Sequence, residues 1–441
     1  MDNSIASAAP RGRFVDFGLW AGVIASVIAC AWGIRWEDIG IRDLVPLPAV
    51  LKYAVCGSFF ITLAYILFLA VNAVFFRGED KTTPRGCTVI VPAFNEGRHV
   101  MVTIESLLKL DWPAELLEII AIDDGSKDDT WEWIERAAAL APERVTPIRL
   151  EKNGGKKHAL YLGMKQAKHE IVVTVDSDTV VAPDALYYLL APFNDAKIGA
   201  VAGSLRAKPE VRNFYTMVMD VALVFGCEFL RAGQSVNRTV FCTPGALSAY
   251  RREAVLPLLD EWLGQTFLGL PATIGEDRAI ATLILRSGWG IVYARRAVAT
   301  TSLPLTYVRL CKMLLRWNRS DIRENLMMLP MLVRQHPWKS WHDLVTFCHW
   351  GMFCLNVILP AIFLPLLVYT LCMVPDAALF LGVSYLAAIV LGIIPATVYT
   401  CVRGPRLSVW AFIYSLFWGV GLIWVPVYSL LTIRNSKWLT R

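Results

Sequence analysis

The stretch Glu170-Ile-Val-Val-Thr-Val-Asp-Ser-Asp178 decides the fold class of this chain. A run of β-branched residues that ends abruptly in carboxylates is typical of a buried strand reaching the ligand-binding edge of a parallel α/β sheet. A single aspartate there could be a turn residue. Asp176 and Asp178, two positions apart, place both carboxylates at one rim, where they can hold a divalent metal ion.

Strand-like and helix-like segments alternate around this stretch, between residues 82 and 300. This order predicts a doubly wound α/β domain with a parallel sheet. The predicted strands are Cys87–Val91, Glu118–Ile122, Val145–Leu150 and Ile171–Val175. The predicted helices are Arg98–Leu110, Thr130–Ala141, Lys156–Lys168 and Arg278–Arg286.

Polar clusters follow three of the predicted strands. They are Phe94-Asn95-Glu96, Asp123-Asp124-Gly125-Ser126 and Asp176-Ser177-Asp178. Ligands of open α/β sheets bind outside the carboxyl ends of the strands. One such cluster would be ordinary turn chemistry, but three on one edge favour a binding site.

Long apolar segments flank the α/β region. Of the 441 residues, 56% are hydrophobic and only 18% are charged, which is a high apolar share for a soluble protein. The segments that are nearly free of charge are 17–34, 49–76, 344–374, 377–402 and 407–433. Each approaches or exceeds the length that crosses ~30 Å of hydrocarbon, so the sequence predicts membrane spans. Basic residues Arg77, Lys81 and Arg85 follow the second segment and predict that the α/β region lies in the cytosol.

The number of spans after the α/β region stays open. Three spans would place the basic end of the chain outside the cell, against the positive-inside rule. One alternative is that 407–433, with Gly419, Gly421 and Pro426, forms a broken or re-entrant pair of short helices. Another is that 344–374 crosses twice. The sequence therefore predicts three to four spans in this region.

Residues Thr306–Met328 predict a basic amphipathic helix that lies in a membrane interface. The alternative is a surface helix of the α/β domain. Its apolar residues are Val308, Leu310, Cys311, Leu314, Leu315 and Trp317, and its basic residues are Arg309, Lys312, Arg316 and Arg319.

Two glycine-led segments carry charged groups at predicted helix starts. Gly275-Glu276-Asp277 supplies an acid pair that could cap the helix or act as a general base. Asn153-Gly-Gly-Lys156 could bind an anion with its lysine and helix N-terminus, although it is not a Walker A loop.

Charge and cysteine usage exclude other classes. The ten cysteines contain no CxxC pair, so neither a disulfide framework nor a zinc site is indicated. The net charge of +6 fits an anionic membrane leaflet or a nucleotide diphosphate better than nucleic acid, and no basic-aromatic platform for nucleic acid is present.

Taken together, these motifs resemble those of membrane glycosyltransferases of family 2, which have the GT-A fold. Within that group the chain is most similar to the hyaluronan synthases, chitin synthases and rhizobial chitooligosaccharide synthases. The matching segments are Val91-Pro-Ala-Phe-Asn-Glu96, Asp123-Asp-Gly-Ser126, Asp176-Ser-Asp178, Arg231-Ala-Gly-Gln-Ser235, Gly245-Ala-Leu-Ser-Ala-Tyr-Arg-Arg252, Gly275-Glu-Asp-Arg278, Arg316-Trp317 and Asn435-Ser-Lys-Trp-Leu-Thr-Arg441.

The resemblance implies a role for each matching residue. Phe94 and Glu96 would hold uracil and ribose, with one or both of Asp123 and Asp124 on the uridine. Asp176 and Asp178 would bind the diphosphate and a Mg²⁺ or Mn²⁺ ion, supported by Lys156. Asp277, beside Glu276, would be the catalytic base. Arg316 would contact the diphosphate, and the acceptor side would include Trp317, Gln234 and Cys242.

Two departures from the family pattern fall on the acceptor side. The family's Gln-x-x-Arg-Trp is Met313-Leu-Leu-Arg-Trp317 here, and methionine lacks the amide's hydrogen-bonding groups. The Cys-x-Gly-Pro loop of hyaluronan synthases reads Cys242-Thr-Pro-Gly245. Transferase chemistry is therefore better supported than the identity of the product.

The resemblance implies a cytosolic, Rossmann-like α/β GT-A domain inserted between transmembrane helices. Its expected parts are two N-terminal helices in 1–81, the catalytic domain in 82–304, interfacial helices in 305–340 and membrane helices in 341–441. The expected activity is processive, inverting polymerisation of UDP-sugars, UDP-GlcNAc with or without UDP-GlcA, into a β-linked glycan that is exported through the plasma membrane. The alternative is a non-processive transfer to a lipid acceptor. The expected partners are the UDP-sugar, the growing glycan and membrane lipids; the sequence leaves the oligomeric state open.

Overall fold

The computed structural model describes residues 49–208, 212–335, 338–373 and 392–435. Its strands are β1 (Cys87–Ala93), β2 (Leu117–Asp123), β3 (Val145–Arg149), β4 (Ile171–Thr174), β5 (Val180–Val181), β6 (Ile198–Ala207), β7 (Ser248–Arg251), β8 (Thr266–Phe267), β9 (Leu270–Pro271) and β10 (Gly290–Thr301). The strands and helices predicted between residues 87 and 175 are present, with ends that differ by a few residues.

The helices of the α/β region are α1 (Ala49–Phe75), α2 (His99–Leu108), α3 (Thr130–Ala139), α4 (Lys156–Gln166), α5 (Ala185–Leu189), α6 (Phe214–Phe225), α7 (Ala232–Ser235), α8 (Arg252–Val255), α9 (Leu259–Leu263) and α10 (Glu276–Arg286). The later helices are α11 (Tyr307–Gln335), α12 (Trp341–Met373), α13 (Val409–Gly421) and α14 (Trp424–Leu431). Residues 392–403 are also helical.

Eight strands form one sheet in the spatial order β3-β2-β1-β4-β7-β6-β10-β5. The first four pair in parallel, as predicted. The prediction of a wholly parallel sheet is wrong, because β7 runs antiparallel to β4 and β6, and β5 runs antiparallel to β10. The chain between β6 and β7 is not a plain crossover helix: α6 continues through a π-helical turn, Gly226–Arg231, into α7, which packs on α1. Strand direction follows from that tertiary path, which residue periodicity does not encode.

Helices cover both faces of the sheet. Ile90 of β1 lies in one buried cluster with residues of α4, whereas its neighbours Val89 and Val91 lie in another with residues of α2. Successive side chains of a strand point to opposite faces, so each face of the central strands is apolar and buried. The strand ends are the places where polar side chains emerge.

The carboxyl ends of β1, β2 and β4 lie along one edge. In the parallel register Ala93 stands beside Asp123, and Ile90 stands beside Thr174. The polar clusters that follow these strands therefore share one rim, as the sequence predicted.

The structure describes some of the candidate membrane segments and not others. Within the described ranges, Trp341–Ile362 of α12 is the one helical stretch long and apolar enough to cross a bilayer by itself, with 22 residues and a mean hydropathy of 1.6. Helix α12 runs unbroken through Pro360 and Pro365, so the alternative that 344–374 crosses twice is wrong. Segment 17–34 and residues 377–391 lie outside the described residues.

The segment 407–433 is a bent helix pair, one of the arrangements that the sequence left open. Pro405–Gly421 and Trp424–Leu431 meet at 45°, and together they have the length and composition of a broken span or re-entrant loop. The carbonyl oxygen of Gly421 at the break accepts hydrogen bonds from the Tyr307 hydroxyl (2.6 Å) and the Trp424 indole (3.1 Å). These donors replace the helical bonds that the break removes.

Helix α11 confirms the helix predicted over Thr306–Met328 and continues to Gln335. Its apolar side, with Leu310 and Leu314, packs against Leu422 and Val425 at the bend of α13 and α14. At the other end of this contact, Arg319 Nη2 donates to Thr432 Oγ1 at 2.8 Å. The helix is thus fixed to the bent pair along its length.

Candidate active site

Lys156 joins the end of β4 to the start of α10. Its Nζ lies 2.5 Å from Asp176 Oδ1 and 2.7 Å from Glu276 Oε1. The side chain is only 19% exposed, and burial by itself would lower the pKa of the amine. The charges of Asp176 and Glu276 outweigh that effect and hold the pKa of Lys156 above its usual range. The site therefore carries a fixed ammonium group between two carboxylates.

Glycine makes this approach possible at position 245. A Cβ atom on Gly245 would lie 2.5 Å from Lys156 Nζ and 3.1 Å from Asp176 Oδ1. A side chain there would displace the lysine from its carboxylates. The Gly245–Arg252 motif contains this glycine, but the motif by itself suggested no role for it.

The acid pair of the Gly275-Glu276-Asp277 segment begins α10, as predicted. Gly275 has φ +74°, and a Cβ there would overlap Ser320 of α11, so only glycine fits this turn. The indole of Trp262 donates to the Glu276 carbonyl at 3.0 Å. Trp262 thus holds the helix start from the side of α9, a contact that the sequence did not reveal.

Asp277 is oriented by groups on three sides. Its Oδ1 accepts the Arg278 backbone N–H at 2.8 Å, and its Oδ2 lies 3.7 Å from the Cys242 thiol, which donates to it. Its carbonyl oxygen accepts from the Thr243 hydroxyl at 3.1 Å. Cys242 and Asp277, which the sequence placed in separate motifs, are therefore neighbours.

The pKa values of the two acids of this pair are shifted in opposite directions. Burial raises the pKa of Asp277, and the negative charge of Glu276 raises it further. Burial also opposes ionisation of Glu276, but Lys156 and Arg316 overcome that effect, so the pKa of Glu276 lies below its usual value. Neighbouring acids whose pKa values are pushed apart are typical of a site with one proton acceptor and one fixed charge.

Asp123 and Asp124 organise the loops next to the site. Asp124 accepts hydrogen bonds from the backbone N–H groups of Gly154 and Gly155, each at 2.8 Å. These bonds shape the turn that leads into Lys156. Asp123 Oδ1 accepts from Ser126 N–H at 3.0 Å, whereas its Oδ2 is 3.7 Å from Arg149 Nε and accepts no hydrogen bond from the residues that the structure describes. The two acids therefore differ: both oxygens of Asp124 accept hydrogen bonds from the turn, whereas one oxygen of Asp123 accepts none from the described residues.

The loop after β1 is tied to the loop after β2. Asn95, at φ +53°, donates through its N–H to Ser126 Oγ (2.9 Å), and the Glu96 N–H donates to Thr130 Oγ1 (2.8 Å). Phe94 and Glu96 are half-buried at this rim. The first two polar clusters therefore form one continuous wall.

Asp176 and Asp178 lie in a tight turn after β4. The Thr179 N–H donates to the Asp176 carbonyl at 3.1 Å, and Thr103 Oγ1 donates to the Ser177 carbonyl at 2.8 Å. Burial raises the pKa of Asp178, and the charge of Asp176 raises it further. A divalent cation between the two would relieve this repulsion, so the pair fits the expected metal.

The protein offers few other metal ligands. Within the described parts of the chain, no group of three or more His, Cys, Asp or Glu side chains converges on a point. Two carboxylates suit an ion that takes its remaining ligands from a polyphosphate and water, as Mg²⁺ commonly does.

Arg316 and Trp317 belong to α11, which passes beside the start of α10 where Ser320 faces Gly275. The charge of Arg316 lowers the pKa of both Glu276 and Asp277, which places it near them. Trp317 is 39% exposed. The structure does not bring Gln234 to this cluster: it lies in α7, which packs against α1, and its backbone carbonyl accepts a hydrogen bond from the Thr239 hydroxyl.

A comparison with protein families gives a match within this region. Residues 88–258 match the family model described as "Glycosyl transferase family 2". The match begins in β1 and ends before α10, so it includes Cys242 and the predicted nucleotide-side residues up to Asp178, but neither Asp277 nor Arg316.

Similar proteins extend over more of the chain. An N-acetylglucosaminyltransferase of Azorhizobium caulinodans is 29% identical over 412 residues, which cover 91% of this chain and 99% of that protein. A hyaluronan synthase of Streptococcus pyogenes serotype M3 is 29% identical over 399 residues, or 87% of this chain and 90% of that protein. An N-acetylglucosaminyltransferase of Rhizobium leguminosarum bv. viciae is 36% identical over 245 residues, covering 55% of this chain and 57% of that protein.

The fold is also similar to that of a solved enzyme. The mannosyltransferase of Pyrobaculum calidifontis, in complex with GDP-Man and Mn²⁺, superposes with a TM-score of 0.61 and covers 84% of this chain and 98% of its own. Sequence identity is 20%, so this likeness concerns the fold, a GT-A-like α/β domain with a mixed sheet.

Proposed function

Residues 88–258 form a glycosyl transferase family 2 domain, and on this premise we propose that the chain is a processive, inverting synthase that extends a β-linked glycan from UDP-sugars. The chain is a glycosyltransferase. UDP-GlcNAc is the proposed donor, with UDP-GlcA as a second donor if the product is of the hyaluronan type. The similarity to an N-acetylglucosaminyltransferase and to a hyaluronan synthase supports these sugars.

One observation carries this proposal: Lys156 joins Asp176 to Glu276, the residue before Asp277. One lysine side chain therefore links the proposed donor and metal site to the residue next to the proposed base. A sugar carbon bound between them can be attacked by a hydroxyl that Asp277 deprotonates. The pair Asp277 and Cys242 marks the acceptor side.

The proposed reaction is a single displacement. The acceptor oxygen forms a bond to C1 of the donor sugar while the bond from C1 to the UDP oxygen breaks, and the configuration at C1 inverts. Asp277 takes the hydroxyl proton. Lys156 and Arg316 offset the negative charge that grows on the diphosphate.

The donor-side residues take the roles that the motifs imply. Phe94 and Glu96 hold the uracil and ribose, and Asp123, which keeps an oxygen outside hydrogen bonds, contacts the uridine. Asp176 and Asp178 hold a Mg²⁺ or Mn²⁺ ion, which as a Lewis acid would neutralise the leaving diphosphate. Trp317, which is partly exposed beside Arg316, stacks on the acceptor sugar.

We also propose that the domain, 82–304, lies in the cytosol between membrane helices. Arg403, the last residue of the helical segment 392–403, has its Nη2 2.6 Å from Asp220 Oδ1 of α6. This ion pair supports one outward crossing in α12 and one return before Arg403. The bond between Arg319 and Thr432 supports a re-entrant α13–α14 pair whose end returns to the same side. The chain would then sit in the plasma membrane and release glycan through these helices.

One observation favours the second candidate, a transfer of one sugar to a lipid. Met313 is buried in the apolar cluster with Leu310, Leu314 and Met219, so it offers no hydrogen bond to a growing glycan. The two candidates share the donor site and differ only in the acceptor.

One experiment distinguishes the processive synthase from the single transfer to a lipid. Protein purified in detergent is incubated with Mg²⁺ or Mn²⁺ and single or paired radiolabelled UDP-sugars, and the products are sized. A polymer or a ladder supports the processive synthase, whereas one sugar on extracted lipid supports the second candidate. Absence of any transfer by the wild-type enzyme from every UDP-sugar would overturn the proposed donor class.

A further inference from the structure

Arg278 follows the proposed base and is almost completely buried, with 1% of its surface exposed. Its Nη1 donates to the Phe241 carbonyl at 2.5 Å, and its Nη2 donates to Asn325 Oδ1 at 3.0 Å. One guanidinium group therefore spans from the segment beside Cys242 to helix α11. A planar fork of donors can satisfy two acceptors in fixed directions, which a lysine ammonium group cannot.

The same guanidinium packs against two aromatic rings. Its Cζ is 4.6 Å from the centre of the Phe241 ring and 5.2 Å from that of Phe353. Phe241 and Phe353 themselves stack, with centroids 5.7 Å apart. Phe353 belongs to α12, the helix with the length and composition of a membrane span. Arg278 thus also connects the base helix to α12.

Helix α11 adds an acidic partner. Asp321 Oδ1 lies 3.9 Å from Arg278 Nε, one helical turn before Asn325. Both residues stand on the helix that carries Arg316 and Trp317. Arg278 is therefore one of the links that fix α11, and with it these two side chains, relative to Asp277.

We propose that Arg278 is a positioning residue: it holds Asp277 in register with the Cys242 segment, with the Arg316–Trp317 helix and with α12. This inference rests on the proposed transferase function. Phe241 precedes Cys242, whose thiol contacts Asp277. Loss of the guanidinium would free both the Cys242 segment and helix α11 from the base, and it would leave the Asp176–Asp178 turn unchanged. A merely structural role would instead affect donor binding and transfer together.

The test compares Arg278→Lys with the wild-type enzyme in detergent. Transfer from the radiolabelled UDP-sugar gives kcat and the donor KM, and equilibrium binding of UDP reports the donor site. We expect kcat to fall by at least ~10-fold, because small displacements of a catalytic group cost that much or more. The donor KM and UDP binding should stay within about twofold of wild type, since neither depends on the base.

Two further variants complete the design. Arg286→Lys on the same helix replaces an arginine that pairs with Glu261 at the surface, and it should leave kcat unchanged. Asn325→Ala removes one acceptor of the fork, should lower kcat in the same sense, and should be non-additive with Arg278→Lys. If Arg278→Lys does not fold, as shown by the absence of a thermal unfolding transition in detergent, Asn325→Ala carries the test by itself.

The outcomes separate the two levels of inference. A wild-type kcat in Arg278→Lys, or a loss confined to donor KM and UDP binding, overturns the positioning role while wild-type transfer leaves the enzyme function intact. A wild-type enzyme that transfers no sugar overturns the proposed function, and the positioning role with it.

Discussion

The Nζ atom of Lys156 lies 2.5 Å from Oδ1 of Asp176, so the first residue of α4 is bonded to the turn that ends β4. The same Nζ reaches Glu276 at the start of α10 at 2.7 Å. Three segments far apart in the sequence are thereby fixed around one ammonium group. Several consequences of this arrangement can be measured.

Replacement of Lys156 by glutamine should abolish most of the transfer activity. The variant leaves Asp176 and the buried Glu276 without the ammonium group, and we expect a loss of ~100-fold or more in kcat from weaker stabilisation of the diphosphate. The thermal midpoint should also fall, because breaking a buried ion pair costs about 3 kcal/mol or more. Radiolabel transfer and thermal unfolding in detergent measure the two effects.

Lys165→Gln is the matched control on the same helix. Lys165 lies 3.5 Å from Asp260 at the surface, where such a pair contributes less than ~1 kcal/mol. Equal effects of the two substitutions would show that the Lys156 bridge has no special role.

Gly245→Ala should weaken donor binding. The new Cβ would lie 2.5 Å from Lys156 Nζ, so the flexible end of the lysine must move away from Asp176 and Glu276. We expect UDP affinity to fall by ~10-fold, or about 1.4 kcal/mol, with little change in unfolding temperature. Gly226→Ala, where the added Cβ meets no atom within 4 Å, is the control. Unaltered UDP binding in Gly245→Ala would contradict the close approach.

Asp277→Asn should retain UDP binding and lose transfer by ~10²-fold or more, because the amide cannot accept the hydroxyl proton. Measurement of kcat and of UDP binding separates these effects. A variant with full turnover would rule out Asp277 as the base.

The pH profile of kcat tests the same residue independently. Burial and the charge of Glu276 raise the pKa of Asp277, so the base is protonated, and activity is lost, as pH falls through a value above the usual range of aspartate near ~3.9. Removal of the negative charge in Glu276→Gln should lower the pKa of Asp277 and move this acid limb to lower pH. An unmoved limb in a folded, UDP-binding variant would contradict the assignment.

Asp178→Asn should raise the concentration of Mg²⁺ or Mn²⁺ needed for half-maximal transfer. The substitution removes one of the two carboxylates proposed as ligands, and we expect a shift of ~10-fold or more. Chelation with EDTA should abolish wild-type transfer, and added metal should restore it. Asp111→Asn, at an exposed position after α2, should leave the metal dependence unchanged. If Asp178→Asn behaves like that control, Asp178 is not a ligand.

A tag fused after Arg441 should be accessible only from the cytosol. The ion pair between Arg403 and Asp220 and the bond from Arg319 to Thr432 hold both flanks of the α13–α14 pair against the domain. Protease protection in right-side-out and inverted vesicles measures the side. Digestion of the tag from the outside would mean that 407–433 crosses completely.

Much of the donor half could be predicted from the sequence. Apolar strands that end in acids are local patterns, and parallel strands bring their carboxyl ends to one edge. The family expected from these motifs is confirmed, and so are the alternating elements before residue 175. The same local reasoning offered a break within 407–433, at Gly419, Gly421 and Pro426, as one of two alternatives, and the structure has a 45° bend there.

Other features depend on contacts between distant segments. The direction of β7 follows from the path of α6 and α7 against α1, which no residue period encodes. The role of Gly245 depends on what lies beside its Cα, and the separation of Asp123 from Asp124 depends on which backbone N–H groups point at each carboxylate. Gln234 stood in a family motif, yet it lies in α7, which packs on α1 and not beside the acids.

The sequence by itself determined the fold class, the sheet edge at which the acids lie and the chemistry that such residues can perform. These features depend on the spacing of apolar residues and on the polar residues at strand ends, which are both patterns of neighbouring residues. Only the tertiary structure decided that Lys156 bonds to both Asp176 and Glu276, and that Arg278 fastens Asp277 to α11 and α12. Ion pairs and the hydrogen bonds of a buried arginine join residues from different helices and strands. Their partners therefore come together only when the chain folds.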